Sequence, residues 1–151
     1  MMLRTTLARF AIVAALVLLA ACSTGRLSPG LTDRMDSGTA QLNRAEAIGI
    51  INSYRATVGV GPLVEDPSLS LTAEQMARNY AKTGRQATKP EGTAEVRYSA
   101  GYATFAETFS GWRNSDQKSL VMSGTSVTRA GIAVVYEENS PYGVYWVVIV
   151  G

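Results

Sequence analysis

Seven consecutive apolar residues, Val144-Tyr145-Trp146-Val147-Val148-Ile149-Val150, stand near the end of this 151-residue chain. Side chains alternate between the two faces of a strand, so a run without a polar position has no face for water and needs cover on both sides. Ile132 to Tyr136 and the turn-rich Asn139-Ser140-Pro141-Tyr142-Gly143 precede it, which reads as a hairpin. A hairpin with a doubly covered strand calls for helices above and below. The expected fold is α+β, a three-layer α/β/α sandwich around a small antiparallel sheet.

The helices that could supply that cover are marked upstream. From Arg44, the residues Ala45, Ile48, Ile51, Tyr54 and Val58 recur at helical spacing and Gly59 stops the run, giving a helix of about 15 residues. Asp66-Pro67 is a helix start, since aspartate accepts free amide hydrogens and proline has none to lose. Leu69, Ala73, Met76, Ala77 and Tyr80 then form one apolar face that Gly84 closes. Val96, Tyr98 and Ala100 alternate with Arg97 and Ser99, the pattern of a short half-buried strand. Thr104 and Glu107 have capping-box spacing ahead of a short helix that places Phe105, Phe109 and Trp112 on one face.

The N-terminal segment has a different character. Arg4 and Arg9 precede an apolar stretch from Phe10 to Leu19, followed by Leu19-Ala20-Ala21-Cys22. This is the layout of a secretory signal with a lipoprotein cleavage site, and it is too short to span a bilayer, which takes roughly 20 apolar residues. Residues 1–21 are expected to be a signal peptide, and Cys22, the chain's only cysteine, to carry a diacylglycerol that anchors it to a membrane. Ser23 in place of aspartate points to the outer membrane, facing the periplasm. Residues 22–43, rich in Ser, Thr and Gly, are expected to be a flexible tether to a domain over 44–151.

Losing Arg4 and Arg9 takes the basic residues from 14 to 12, equal to the 12 acidic ones. A neutral chain without a basic stripe lacks the footprint of a nucleic-acid partner. With no cysteine beyond Cys22, no disulfide staples the fold and a hydrophobic core must suffice.

Asn52, Arg55, Gly59, Pro62, Leu63, Asp66, Leu69, Ala73 and Met76 follow one another in an order that resembles the opening helices of bacterial CAP domains. These form the superfamily of cysteine-rich secretory proteins, antigen 5 and pathogenesis-related proteins. Glu95, Gly101-Tyr102, Thr104-Phe105-Ala106-Glu107, Gly111-Trp112-Arg113-Asn114-Ser115, Gly131-Ile132-Ala133 and Tyr142-Gly143-Val144-Tyr145-Trp146 continue the likeness, which covers about residues 44–151. The resemblance implies a cleft lined by two histidines and two acidic residues that holds a divalent metal in some members.

This sequence has no histidine. Imidazole is the commonest neutral nitrogen ligand for zinc and the usual proton carrier near neutral pH, so neither a metal nor another cofactor is expected. Glu95 falls at the glutamate of the family's Glu-Asn-Ile motif, with Val96 in place of the asparagine. Where relatives commonly carry Ser-Pro-Gly-His, this chain has Ser115-Asp116-Gln117-Lys118. Lys118 thus takes the histidine's place, and Glu95 and Lys118 become candidate cleft residues, either paired as an ion bridge or simply solvated. No catalytic residue is assigned.

Other chemistries find less support. Ser115-x-x-Lys118 and Lys82-Thr83-Gly84 resemble the serine–lysine sites of penicillin-binding proteins, but in reversed order and in too short a chain. Tyr98, Tyr102, Phe105, Phe109, Trp112, Tyr145 and Trp146 either line an apolar ligand groove or fill the core. The expected function is a non-catalytic binding module on an envelope lipoprotein, with an apolar ligand or envelope protein as partner. The alternatives are a divergent hydrolase using Glu95 and Lys118, and a purely structural lipoprotein.

Overall fold

A computed structural model of the chain describes residues 27–115 and 119–151. Its elements run α1 (Pro29–Thr32), α2 (Arg44–Thr57), β1 (Val64–Glu65), α3 (Pro67–Thr83), β2 (Glu95–Ala100), α4 (Phe105–Ser115), α5 (Leu120–Ser123), β3 (Arg129–Tyr136) and β4 (Val144–Val150). The sheet order is β1-β3-β4-β2. β4 lies between β3 and β2, antiparallel to both, and β1 adds a two-residue parallel pairing to β3.

All seven β4 residues are buried, as a strand without a polar face requires. Tyr145, Val147 and Ile149 pack with Leu69, Ala73 and Met76 of α3 on one face. Val144, Trp146, Val148 and Val150 pack on the other with Ile51 of α2, Phe105 and Trp112 of α4, and Val121 of α5. The protein is therefore an α/β/α sandwich.

Local signals set the helix ends. The Asp66 side chain accepts the amides of Ser68 and Leu69, and these bonds, led by the Ser68 hydroxyl, hold its carboxyl below the usual range. α3 stops at Gly84, whose φ of 69° lies in the left-handed region that glycine adopts freely. At α4 the Thr104 amide and hydroxyl donate to Glu107 at 3.0 and 2.8 Å, lowering that carboxyl too.

Several expectations are corrected. Residues 27–43, the described part of the expected 22–43 tether, pack on the domain instead of forming a free linker. Met35 is buried, Leu31, Ala40 and Leu42 lean on the core, and the Met35 amide donates to the Ala103 carbonyl at 2.7 Å. Single apolar residues spread through polar sequence lack the period that reveals a packed element. The buried stripe of α2 is Ala47, Ile48, Ile51 and Arg55, whereas Ala45 and Val58 are exposed. β2 is half-buried on both faces instead of alternating, because it is an edge strand thinly covered on each side. β3 begins at Arg129, three residues before the expected start, and α1, β1 and α5 are too short to carry a periodic signal.

The start of α3 presses directly on β3 at Gly131. A Cβ there would lie 2.1 Å from the Leu69 carbonyl carbon and 2.2 Å from the Ser70 amide nitrogen, both backbone atoms. Gly131→Ala is expected to cost about 2–3 kcal/mol, near the upper end of ordinary overpacking, because no side chain can swing aside. An unchanged melting temperature would show that helix and strand separate freely.

Candidate functional site

Glu95 opens β2 and pairs in register with Val150, so it faces the same side of the sheet as α2, α4 and α5. Its carboxylate is engaged by its own chain. The Ser119 hydroxyl reaches the two oxygens at 2.9 and 3.0 Å, and the Val121 amide donates to Oε2 at 3.1 Å. Arg97, two residues along and therefore on the same face, places a guanidinium nitrogen 3.4 Å from Oε1 and donates to the Ser115 hydroxyl at 2.7 Å. Both charged side chains are largely covered, Glu95 at 20% exposed and Arg97 at 14%.

The opposite end of the segment bound by Glu95 is held by Arg55. This residue is fully buried. Its Nε donates to the Gly61 carbonyl at 2.8 Å, Nη1 to Leu120 and Val121, both at 3.0 Å, and Nη2 to Gly124 at 2.7 Å. Burial pushes its pKa below the ordinary value, and the planar fork of donors offsets the cost of desolvation by meeting four carbonyls. α5 is thus gripped by a carboxylate at its amide end and a guanidinium at its carbonyl end. That polarity matches the unpaired groups at helix termini.

Glu95 therefore stands where the resemblance places a cleft residue, but it acts as an anchor for residues 119–121. Lys118, the other candidate, lies outside the described residues, as does Cys22. The described partners of Glu95 are Ser119, Val121 and Arg97. Lys82-Thr83-Gly84 sits at the end of α3 on the other side of the sheet.

Among the described residues the donor set does not fit a metal. Histidine is absent from the whole sequence, and among the described residues no three His, Cys, Asp or Glu side chains gather into a cation site. Glu95 would have to give up its hydrogen bonds and bind the ion beside the Arg97 cation.

Most of the aromatic set is core. Phe105, Trp112, Tyr145 and Trp146 are buried, Tyr98 and Phe109 are partly buried, and Tyr102 is exposed. The Trp112 indole N–H donates to the Tyr98 carbonyl at 3.0 Å, and that of Trp146 to Tyr102 at 2.9 Å.

Arg55 was part of the motif that carries the resemblance, yet no role could be assigned to it from sequence. The available signal was a cation four residues after Ile51, on a helix face otherwise filled by small and apolar side chains. Ser119 had no signal, because it acts through a single turn formed 24 residues from Glu95.

A sheet covered by helices on both faces, with a glutamate opening one edge strand, defines an α/β/α module. The sequence model of the cysteine-rich secretory protein family, CAP, matches residues 48–150, and the chain belongs to that family. Among solved structures it is similar to MpPR-1i from a crystal soaked with selenourea, at 18% identity and a TM-score of 0.53, over 70% of this chain and 87% of that one. It is also similar to an outer surface protein from Borrelia burgdorferi, at 16% identity and a TM-score of 0.50, over 71% and 90%. At these identities the likeness concerns the fold alone. No curated protein matches the sequence.

Proposed function

We propose that this protein is an envelope lipoprotein whose CAP domain is a non-catalytic interaction module. The observation that carries the reading is that both Glu95 oxygens are engaged by the chain's own Ser119 and Val121, which supports a structural use of the carboxylate over one as general base or ligand. The signal layout through Leu19-Ala20-Ala21-Cys22 supports removal of residues 1–21 and lipid attachment at Cys22, with Ser23 favouring the outer membrane on its periplasmic side. The Borrelia neighbour, an outer surface protein, is in keeping with that location.

The proposal has two separable tests. Cys22→Ala should move the protein from the membrane to the soluble fraction and abolish incorporation of labelled fatty acid; unchanged labelling would refute the anchor. For the domain, a panel of ester, peptide and glycoside substrates should show no turnover that depends on Glu95. Glu95→Ala should instead lower stability by about 1–3 kcal/mol, because the Ser119 hydroxyl and the Val121 amide lose their acceptor. Turnover abolished by Glu95→Gln would establish an enzyme in place of the interaction module.

A further inference from the structure

Residues 34–40 run across one end of the sheet. Arg34 bridges Thr104 just after β2, the Met35 amide donates to the Ala103 carbonyl, and Ser37, Gly38 and Ala40 border the end of β3 at Val134–Tyr136. Ala100 of β2 pairs with Tyr145 and Tyr136 of β3 with Val144, so this is the end where β4 begins. α2 and α4 start here as well. α1 packs on both, and the Ser28 hydroxyl donates to Glu46 in the first turn of α2. The described chain therefore enters the fold at the hairpin end, whereas Glu95, Ser119 and the Arg129–Gly151 pairing lie at the other. β4 separates the two ends by about 20 Å.

This path shortens the leash to the membrane. With residues 27–43 packed on the domain, Ser23 to Arg26 are all that stand between Cys22 and Leu27, five residue steps that span at most about 18 Å. A lipid on Cys22 thus keeps the hairpin end closer to the bilayer than the sheet is long. The opposite end cannot be turned down onto it.

What the hairpin end exposes suits such a surface. Tyr102 and Tyr142 are 43% and 58% exposed and flank Gly101, where a Cβ would lie 3.7 Å from the Tyr142 ring. Leu27, where the described chain begins, is exposed too. Tyrosine joins an apolar ring to a polar tip and collects at the headgroup level of membranes. Glu137 and Glu138 of the turn are also exposed, so a zwitterionic surface fits this end and an anionic one repels it.

We infer that the domain stands on the bilayer by its hairpin end, with Tyr102 and Tyr142 among zwitterionic headgroups and the end holding Glu95 and α5 turned away from the membrane. The inference rests on lipid attachment at Cys22 and adds an orientation to it, since the same lipid on a free tether of residues 22–43 would leave the domain able to tumble.

Acylated Cys22 has no thiol, so a cysteine introduced elsewhere is the only site for a thiol-reactive dye. Glu138→Cys marks the hairpin end, and Ser126→Cys, in the exposed loop after α5, marks the other. The purified lipoprotein is incorporated into phosphatidylcholine vesicles that carry a headgroup acceptor, and energy transfer is read after flotation. Transfer should be about threefold or more higher at Glu138→Cys than at Ser126→Cys, for ends about 20 Å apart. Tyr102→Ser together with Tyr142→Ser, with circular dichroism unchanged, should bring that ratio towards one. Equal transfer at the two sites, or more at Ser126→Cys, in a protein that floats with the vesicles would overturn the orientation and leave the anchor standing. A ratio unmoved by the two serines would overturn the tyrosine contact. A protein that does not float would refute the anchor and the orientation with it.

Discussion

Arg55→Met should remove about 3–5 kcal/mol of stability in urea denaturation, a large part of the ~5–15 kcal/mol typical of a domain. The usual argument against valuing a buried charge is that apolar residues of similar volume can replace both partners at little cost. That escape is closed here. The acceptors are the backbone carbonyls of Gly61, Leu120, Val121 and Gly124, which no substitution can remove. Methionine fills the space of the side-chain stem, and although the Leu120 oxygen keeps the Gly124 amide, those of Gly61, Val121 and Gly124 lose their donor, at about 1–3 kcal/mol for each one that water cannot reach. Arg55→Lys should recover little, because an ammonium offers a point charge with three donors where a planar fork reaches four separated oxygens. In hydrogen exchange the loss should appear first at residues 119–124. A cost below about 1 kcal/mol would mean that the segment is held by its apolar contacts alone.

Trp112→Ala should cost about 3–5 kcal/mol. The residue is 3% exposed, lies edge-on to Phe105 with ring centroids 6.4 Å apart, and closes the outer edge of β2 through its indole N–H. Alanine would leave both a cavity beside Phe105 and an unpaired Tyr98 carbonyl. Trp146 stays in place on β4 as the fluorescent reporter, so the unfolding curve of the variant remains readable. A melting curve unmoved by this change would put Trp112 outside the core and revive an apolar ligand groove beneath α4.

Where the sequence carried strong periodicity and explicit caps, the fold was legible from it. Asp66-Pro67 and Gly84 bound α3 where expected, the Thr104–Glu107 box starts α4, and the apolar run of β4 implied helices on both faces. Less legible were elements stabilised by contacts distant in sequence. α5 is a single turn whose termini are satisfied by Glu95 and Arg55, so nothing within residues 120–123 announces a helix. The packed segment from Leu31 to Leu42 is similar, because its scattered apolar residues gain meaning only against a core already formed.

The site divided along the same line. Glu95 was recognisable as a residue type in the right place, and the absence of histidine was visible at once. That its carboxylate ties down Ser119 and Val121 depended on a turn whose position the sequence does not encode locally. Arg55 was left without a role for a related reason. Tyr54 leans on the core as its spacing implies, but the four carbonyls that draw Arg55 inward come together only in the folded chain.

The central claim, that Glu95 serves as a structural clamp instead of a metal or catalytic group, is tested most directly by amide NMR of the protein titrated with zinc. The Val121 amide should be protected from exchange, lose that protection in Glu95→Ala, and keep its position when zinc is added to the parent. A zinc-dependent shift centred on Glu95, Ser119 and Val121, with exchange at Val121 accelerated and the effect lost in Glu95→Gln, would contradict the account.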